Sequence, residues 1–174
     1  MLIHQVPGWW SPPFDIIEGV IDLFKEEYVF GAVRTIEVKP PQTTPDYVIV
    51  PYGYYYLGMK KILIGTYSES DIRRLGEEFC KFGLAFTLGH EIGHALMDSY
   101  QNIRELYHRI WGELIRDERI AIIDEDLCDA IGLLVLQKLN CPKEIFWKIA
   151  GQQSKSSIII KERFGEEISR IIFQ

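Results

Sequence analysis

The chain has 174 residues, a formal net charge of −6, 47% hydrophobic and 25% charged residues. That length suits a single domain, and the apolar share suffices for a core without disulfides or a cofactor to staple it. The acidic balance argues against nucleic acid as the main partner, and no apolar run approaches the about 18 residues that would suggest a membrane span. Cys80, Cys128 and Cys141 have no paired spacing, so they read as reduced thiols. The first residues lack a basic stretch followed by an apolar one, so no signal peptide is expected and the location implied is cytoplasmic.

In chain order, the Pro-, Gly- and Trp-rich opening reads as irregular. Asp15 can cap a helix whose Ile16, Ile17, Val20, Ile21 and Phe24 recur at helical spacing, fading near Gly31. The period then changes. Residues 32–38 alternate in polarity and read as a strand, residues 40–46 as a turn, and residues 47–51 and 61–67 as β-rich runs on either side of a tyrosine cluster at 52–56. From residue 69 the pattern is helical, with helices expected at 69–80, 84–99, 103–116, 124–139, 142–151 and 156–172. Asp124 suits an N-cap, and Pro142 suits a first helical turn. The expected fold is α+β: one domain, with a small, mostly antiparallel sheet followed by a helical half. Its core is expected over about residues 30–140, with a helical extension after it.

Residues 90–94 read His-Glu-Ile-Gly-His, an HExxH motif inside a helical stretch. Four residues apart, His90 and His94 lie one above the other on one helix face, about 6 Å apart along the axis, where they can share one metal ion. Glu91 lies beside them, free to act on a water rather than to bind the metal. Zinc lowers the pKa of such a water towards 7, and the carboxylate takes its proton. Leu84, Ala85, Leu88, Ile92, Ala95 and Leu96 make the helix apolar enough to be buried, and a buried helix carries two imidazoles and a carboxylate cheaply only if they have partners.

Such a site needs a third protein ligand. The long pattern with Gly at 97 and His at 100 fails, because these are Met97 and Tyr100. The acidic turn 124–129 remains. Glu125 and Asp129 share a helix face, so Glu125 can bind the metal while Asp129 accepts a hydrogen bond from a ligand histidine. Asp124 and Asp126 stay open as alternatives, and an acidic first turn also arises from the helix dipole alone.

His90-Glu91-Ile92-Gly93-His94 followed by Glu125-x-x-x-Asp129 on a later helix resembles the gluzincin metallopeptidases. The resemblance is closest to the small archaeal minigluzincins and looser to the ImmA/IrrE-type proteins. It covers about residues 30–140. It implies one zinc ion held by His90, His94 and Glu125, Glu91 as general base and acid, Asp129 supporting a ligand histidine, and a peptide or protein substrate. In this family type an edge strand takes the peptide, and 61–67 is the strand considered for that role. The resemblance also raises a latent form, with the C-terminal segment over the cleft. Against it stands a plain amphipathic helix packed on the core through Ile158, Ile159, Ile168, Ile171 and Ile172.

Tyr100, Tyr107 and His108 are candidate donors to a developing oxyanion. Trp9, Trp10 and the tyrosines at 52–56 are weighed between a groove and packing on the sheet. His4 is expected at the surface, and Cys128 as a small buried residue. Two other functions remain open: a metal-binding regulatory protein of the same fold without turnover, and a hydrolase of a non-peptide amide.

Overall fold

A computed structural model describes residues 1–41 and 49–174. The fold is α+β, with eight α-helices and a four-stranded sheet among the described residues. The strands β1 (Leu2–Ile3), β2 (Thr35–Lys39), β3 (Gly53–Tyr56) and β4 (Lys61–Gly65) lie in the order β1-β2-β4-β3. The sheet is mixed rather than mostly antiparallel: β1 and β4 both pair with β2 in parallel, and only β3 and β4 are antiparallel. The chain reaches the far edge as β3, turns through a 3-10 turn at Leu57–Met59, and inserts β4 between β3 and β2.

The short β1 lies within the stretch expected to be irregular. The expected strand at 47–51 falls partly outside the described residues, and its residues 49–51 are not in a strand. The tyrosine cluster, apart from Tyr52, is itself β3. Most of the turn expected at 40–46 lies outside the described residues.

The first expected helix is two helices, α1 (Phe14–Ile21) and α2 (Glu26–Ala32), and Asp15 sits inside α1 rather than capping it. The break has a tertiary cause. Lys25 donates through its backbone N–H to Ile172 O and through Nζ to Arg170 O and Ile171 O, which ties the break to the last helix.

The helical half follows its expected outline as α3 (Glu69–Leu75), α4 (Glu77–Ser99), α5 (Gln101–Glu118), α6 (Asp124–Lys138), α7 (Lys143–Ala150) and α8 (Lys155–Ile172). A box between Ser68 and Asp71 opens α3, and Gly76, at φ +89°, separates it from α4. Ile123 precedes α6, so Asp124 is its first helical residue rather than its cap.

Helix α4 is the central element. Leu84, Leu88, Ile92 and Leu96 are fully buried, and Ile62 and Ile64 on the core face of β4 are buried with them. Its neighbours include β3, β4 and α6, and α8 covers the other side of α6. No described helix is long and apolar enough to cross a membrane.

Candidate metal centre and cleft

The site grows from the contact between α4 and α6, which glycines make close. A Cβ at Gly89 would meet Val135 Cγ2 at 2.7 Å, and one at Gly132 would meet Phe86 Cδ2 at 2.8 Å and Phe86 O at 2.9 Å. With no side chain between them, the two backbones approach until a short aspartate on α6 can reach an imidazole on α4. Asp129 Oδ1 stands 2.7 Å from His90 Nδ1, and as a carboxylate it accepts that hydrogen. The bond leaves the lone pair of His90 on Nε2, facing the cleft.

His90 Nε2 and His94 Nε2 are 3.0 Å apart. The two carboxylate oxygens of Glu125 complete the group, each 3.2 Å from one imidazole nitrogen. Tetrahedral ligands held about 2.0–2.1 Å from a zinc ion lie about 3.3 Å from one another. The donor spacings, 3.0 Å between the nitrogens and 3.2 Å from each nitrogen to one carboxylate oxygen, are close to that separation, and two nitrogens with one carboxylate suit a divalent cation such as zinc. His90, His94 and Glu125 fit a metal ion. No family model, curated protein or solved structure matches the chain.

The alternatives for the third ligand are placed elsewhere. Asp126 is buried, and its oxygens accept from the Ile123 N–H at 2.8 Å and from the Ser154 hydroxyl. Asp124 lines the cleft but does not join the donor group. Cys128 is fully buried beside the glycine seam, as expected of a small core residue.

Glu91 lies on α4 beside the donors and is 5% exposed. Burial pushes its carboxyl up to about 7. The charge of Glu125 adds to the shift, while His90 and the backbone N–H of Tyr55 oppose it. At His90, burial disfavours the charged ring, but the hydrogen bond and charge of Asp129 overcome it and raise its pKa. At His94, burial and the charge of His90 lower the pKa, outweighing the opposing charges of Glu125 and Asp124 and the Glu125 hydrogen bond.

Above Glu91 runs β3, the edge strand. A Cβ at Gly53 would overlap the Glu91 carboxylate, so only glycine lets the strand come this close. Thr87 Oγ1, also on α4, donates to Pro51 O at 2.9 Å and anchors the approach to β3. Gly65 N–H donates to Tyr52 O at 2.6 Å, so those opposed residues form a hydrogen-bonded pair. Alternation along an antiparallel ladder then turns the backbone of Gly53 and Tyr55 away from β4. The Tyr55 N–H reaching Glu91 agrees with that direction. The strand considered for peptide binding, at 61–67, is internal as β4; of the two edge strands among the described residues, β1 and β3, the one beside Glu91 is β3.

The cleft between β3 and α5 has a volume of about 710 Å³ and is walled by Tyr52, Tyr55, Leu57, Met97, Tyr107 and His108. Of the candidate donors, Tyr107 is committed through its hydroxyl to Ile122 O at 3.2 Å, and Tyr100 donates to Glu27 O at 2.7 Å, away from the cleft. His108 lines the cleft. Trp10 packs on Tyr67 at 6.1 Å between ring centroids, and neither it nor Trp9 lines the cleft. His4 pairs with Glu37 on the outer side of the sheet. Residues 141–174 contribute nothing to the cleft wall, so the C-terminal segment does not cover it.

Proposed function

We propose that the chain is a zinc-dependent peptidase. The cluster of His90 Nε2, His94 Nε2 and the Glu125 carboxylate, with the buried Glu91 carboxyl beside it, carries the reading. A structural zinc site fills its fourth position with a protein ligand, whereas three ligands plus a neighbouring base leave room for chemistry. A zinc ion there supplies a Lewis acid that acidifies water and polarises a carbonyl.

The rest of the work falls to the side chains. His90, His94 and Glu125 hold the ion, and Asp129 fixes the His90 ring so that Nε2 faces it. Glu91 takes the proton of the attacking water and returns it to the leaving amine, a role open to a carboxyl that stands beside the donors without joining them. His108 donates to the carbonyl oxygen as it gains charge. The outward backbone groups of Gly53 and the outward carbonyl of Tyr55 pair with an extended peptide, which adds a strand to this edge and lies across Glu91, while the Tyr55 N–H stays on the Glu91 carboxyl.

The decisive experiment sets Glu91→Gln beside the wild type, with metal analysis and a denatured protein substrate. The variant keeps one zinc per chain and loses hydrolysis by about 10²-fold or more, because an amide cannot accept the proton. His90→Ala and His94→Ala lose the metal, and Glu125→Ala holds it more weakly. Hydrolysis that persists in Glu91→Gln within a few fold would refute the mechanism.

A further inference from the structure

Two serines at the start of the C-terminal helix touch the acidic turn from behind. Ser154 caps α8, its Oγ accepting the Ser157 N–H at 3.0 Å. The same oxygen donates to Asp126 Oδ1, since a carboxylate can only accept. Ser157 is completely buried. Its one hydroxyl proton lies between Ser154 Oγ at 2.7 Å and Asp129 Oδ2 at 3.4 Å. Both aspartates face the N-terminal end of an 18-residue helix, whose partial positive charge favours them.

These contacts reach the metal group by two routes. Asp129, touched by Ser157, orients His90. Asp126, held by Ser154, accepts the Ile123 N–H with its other oxygen and so sets the first turn of α6, where Glu125 stands. We infer that Ser154 and Ser157 are positioning residues, and that α8 acts as a clamp pre-setting Glu125 and Asp129 for the metal. The inference rests on the metal-site reading proposed above. It also gives the segment after residue 140 a part in the site without placing it over the cleft.

The test must separate clamping from plain helix capping. Aspartate caps helices as well as serine does, but at position 154 it would set a carboxylate against Asp126 and has no proton to donate. The full-length wild type, Ser154→Asp, Ser154→Thr and Ser157→Ala are titrated with zinc against a chromophoric chelator. The cobalt-substituted proteins are compared by visible spectrum, and each melting temperature is recorded. A clamp predicts that Ser154→Asp and Ser157→Ala bind zinc about 3- to 10-fold more weakly with altered cobalt bands, while Ser154→Thr, which keeps the hydroxyl, binds as the wild type does.

Ile168→Val, on the same helix and away from the serines, is the control for general loosening. Zinc affinity unchanged in Ser154→Asp and Ser157→Ala, or lowered equally in Ile168→Val, overturns the clamp and leaves the metal site standing. A wild type that binds no zinc overturns both.

Discussion

His90 and Glu37 show opposite ways of keeping a polar side chain inside this protein. His90 is held between Asp129 and Glu125 with its second nitrogen turned to the cleft, an arrangement with room for an ion. Glu37, on the outer side of β2, is saturated: Lys61, His4 and Lys39 all pair with its carboxylate. The Lys61 hydrogen bond holds its carboxyl below the ordinary value of 4.5, outweighing the opposing effect of burial. A depressed carboxyl contributes stability above its unfolded value and loses it as pH falls through the lower folded one. Glu37→Gln should therefore lower the melting temperature at pH 7 and flatten its decline below about pH 4.5. Melting curves from pH 3 to 8 check this; parallel acid limbs for variant and wild type would show that Glu37 contributes no pH dependence.

Among elements, the pairing of α4 with α6 decides whether the metal donors meet. HExxH and the acidic turn lie on separate helices, and only their close approach brings Glu125 within 3.2 Å of both imidazoles. Gly132→Ala tests the approach, because the added methyl meets the Phe86 ring and carbonyl oxygen and must push the helices apart. Overpacking of this kind costs about 1–3 kcal/mol. The expected outcome is a lower melting temperature together with weaker zinc binding, since the seam sets both. Weaker stability with unchanged zinc affinity would place the control of the site elsewhere. The sheet's role is likewise set by its neighbours: β4 is shielded on both sides, so among the described residues β3 is the edge strand beside Glu91.

At the scale of the whole molecule, the C-terminus closes on the break between α1 and α2. Phe24 and Phe173 pack with ring centroids 4.8 Å apart, and Gln174 N–H donates to Leu23 O. Ile160, Phe164, Ile168 and Ile172 on α8 are buried against the rest of the core. Each such side chain contributes about 1.5–3 kcal/mol, so together they match the total stability of an ordinary domain, about 5–15 kcal/mol. Truncation after Asn140 should therefore abolish cooperative unfolding, as read by circular dichroism and gel filtration. A truncated chain that stays monomeric, melts cooperatively and cleaves substrate faster would restore the idea of a latent enzyme.

The motif on α4 and the acidic turn on α6 were legible in the residues themselves, because both depend on spacing within one helix, and helix geometry is local. His90 and His94 share a face wherever the helix lies, and so do Glu125 and Asp129. The outline of the helical half was readable for the same reason: apolar periodicity and caps act over a few residues. Contacts distant in sequence decided the rest. Asp126 is drawn away from the donor group by Ser154, 28 residues further on. The strand that takes the edge depends on where the chain crosses the sheet, which no run of β-rich residues specifies. The first helix breaks at Asp22–Lys25, where it meets the end of α8. Periodicity showed that the last helix had an apolar face; only the folded chain decided that this face meets the core, leaving the cleft open, because burial depends on which surfaces come together in three dimensions.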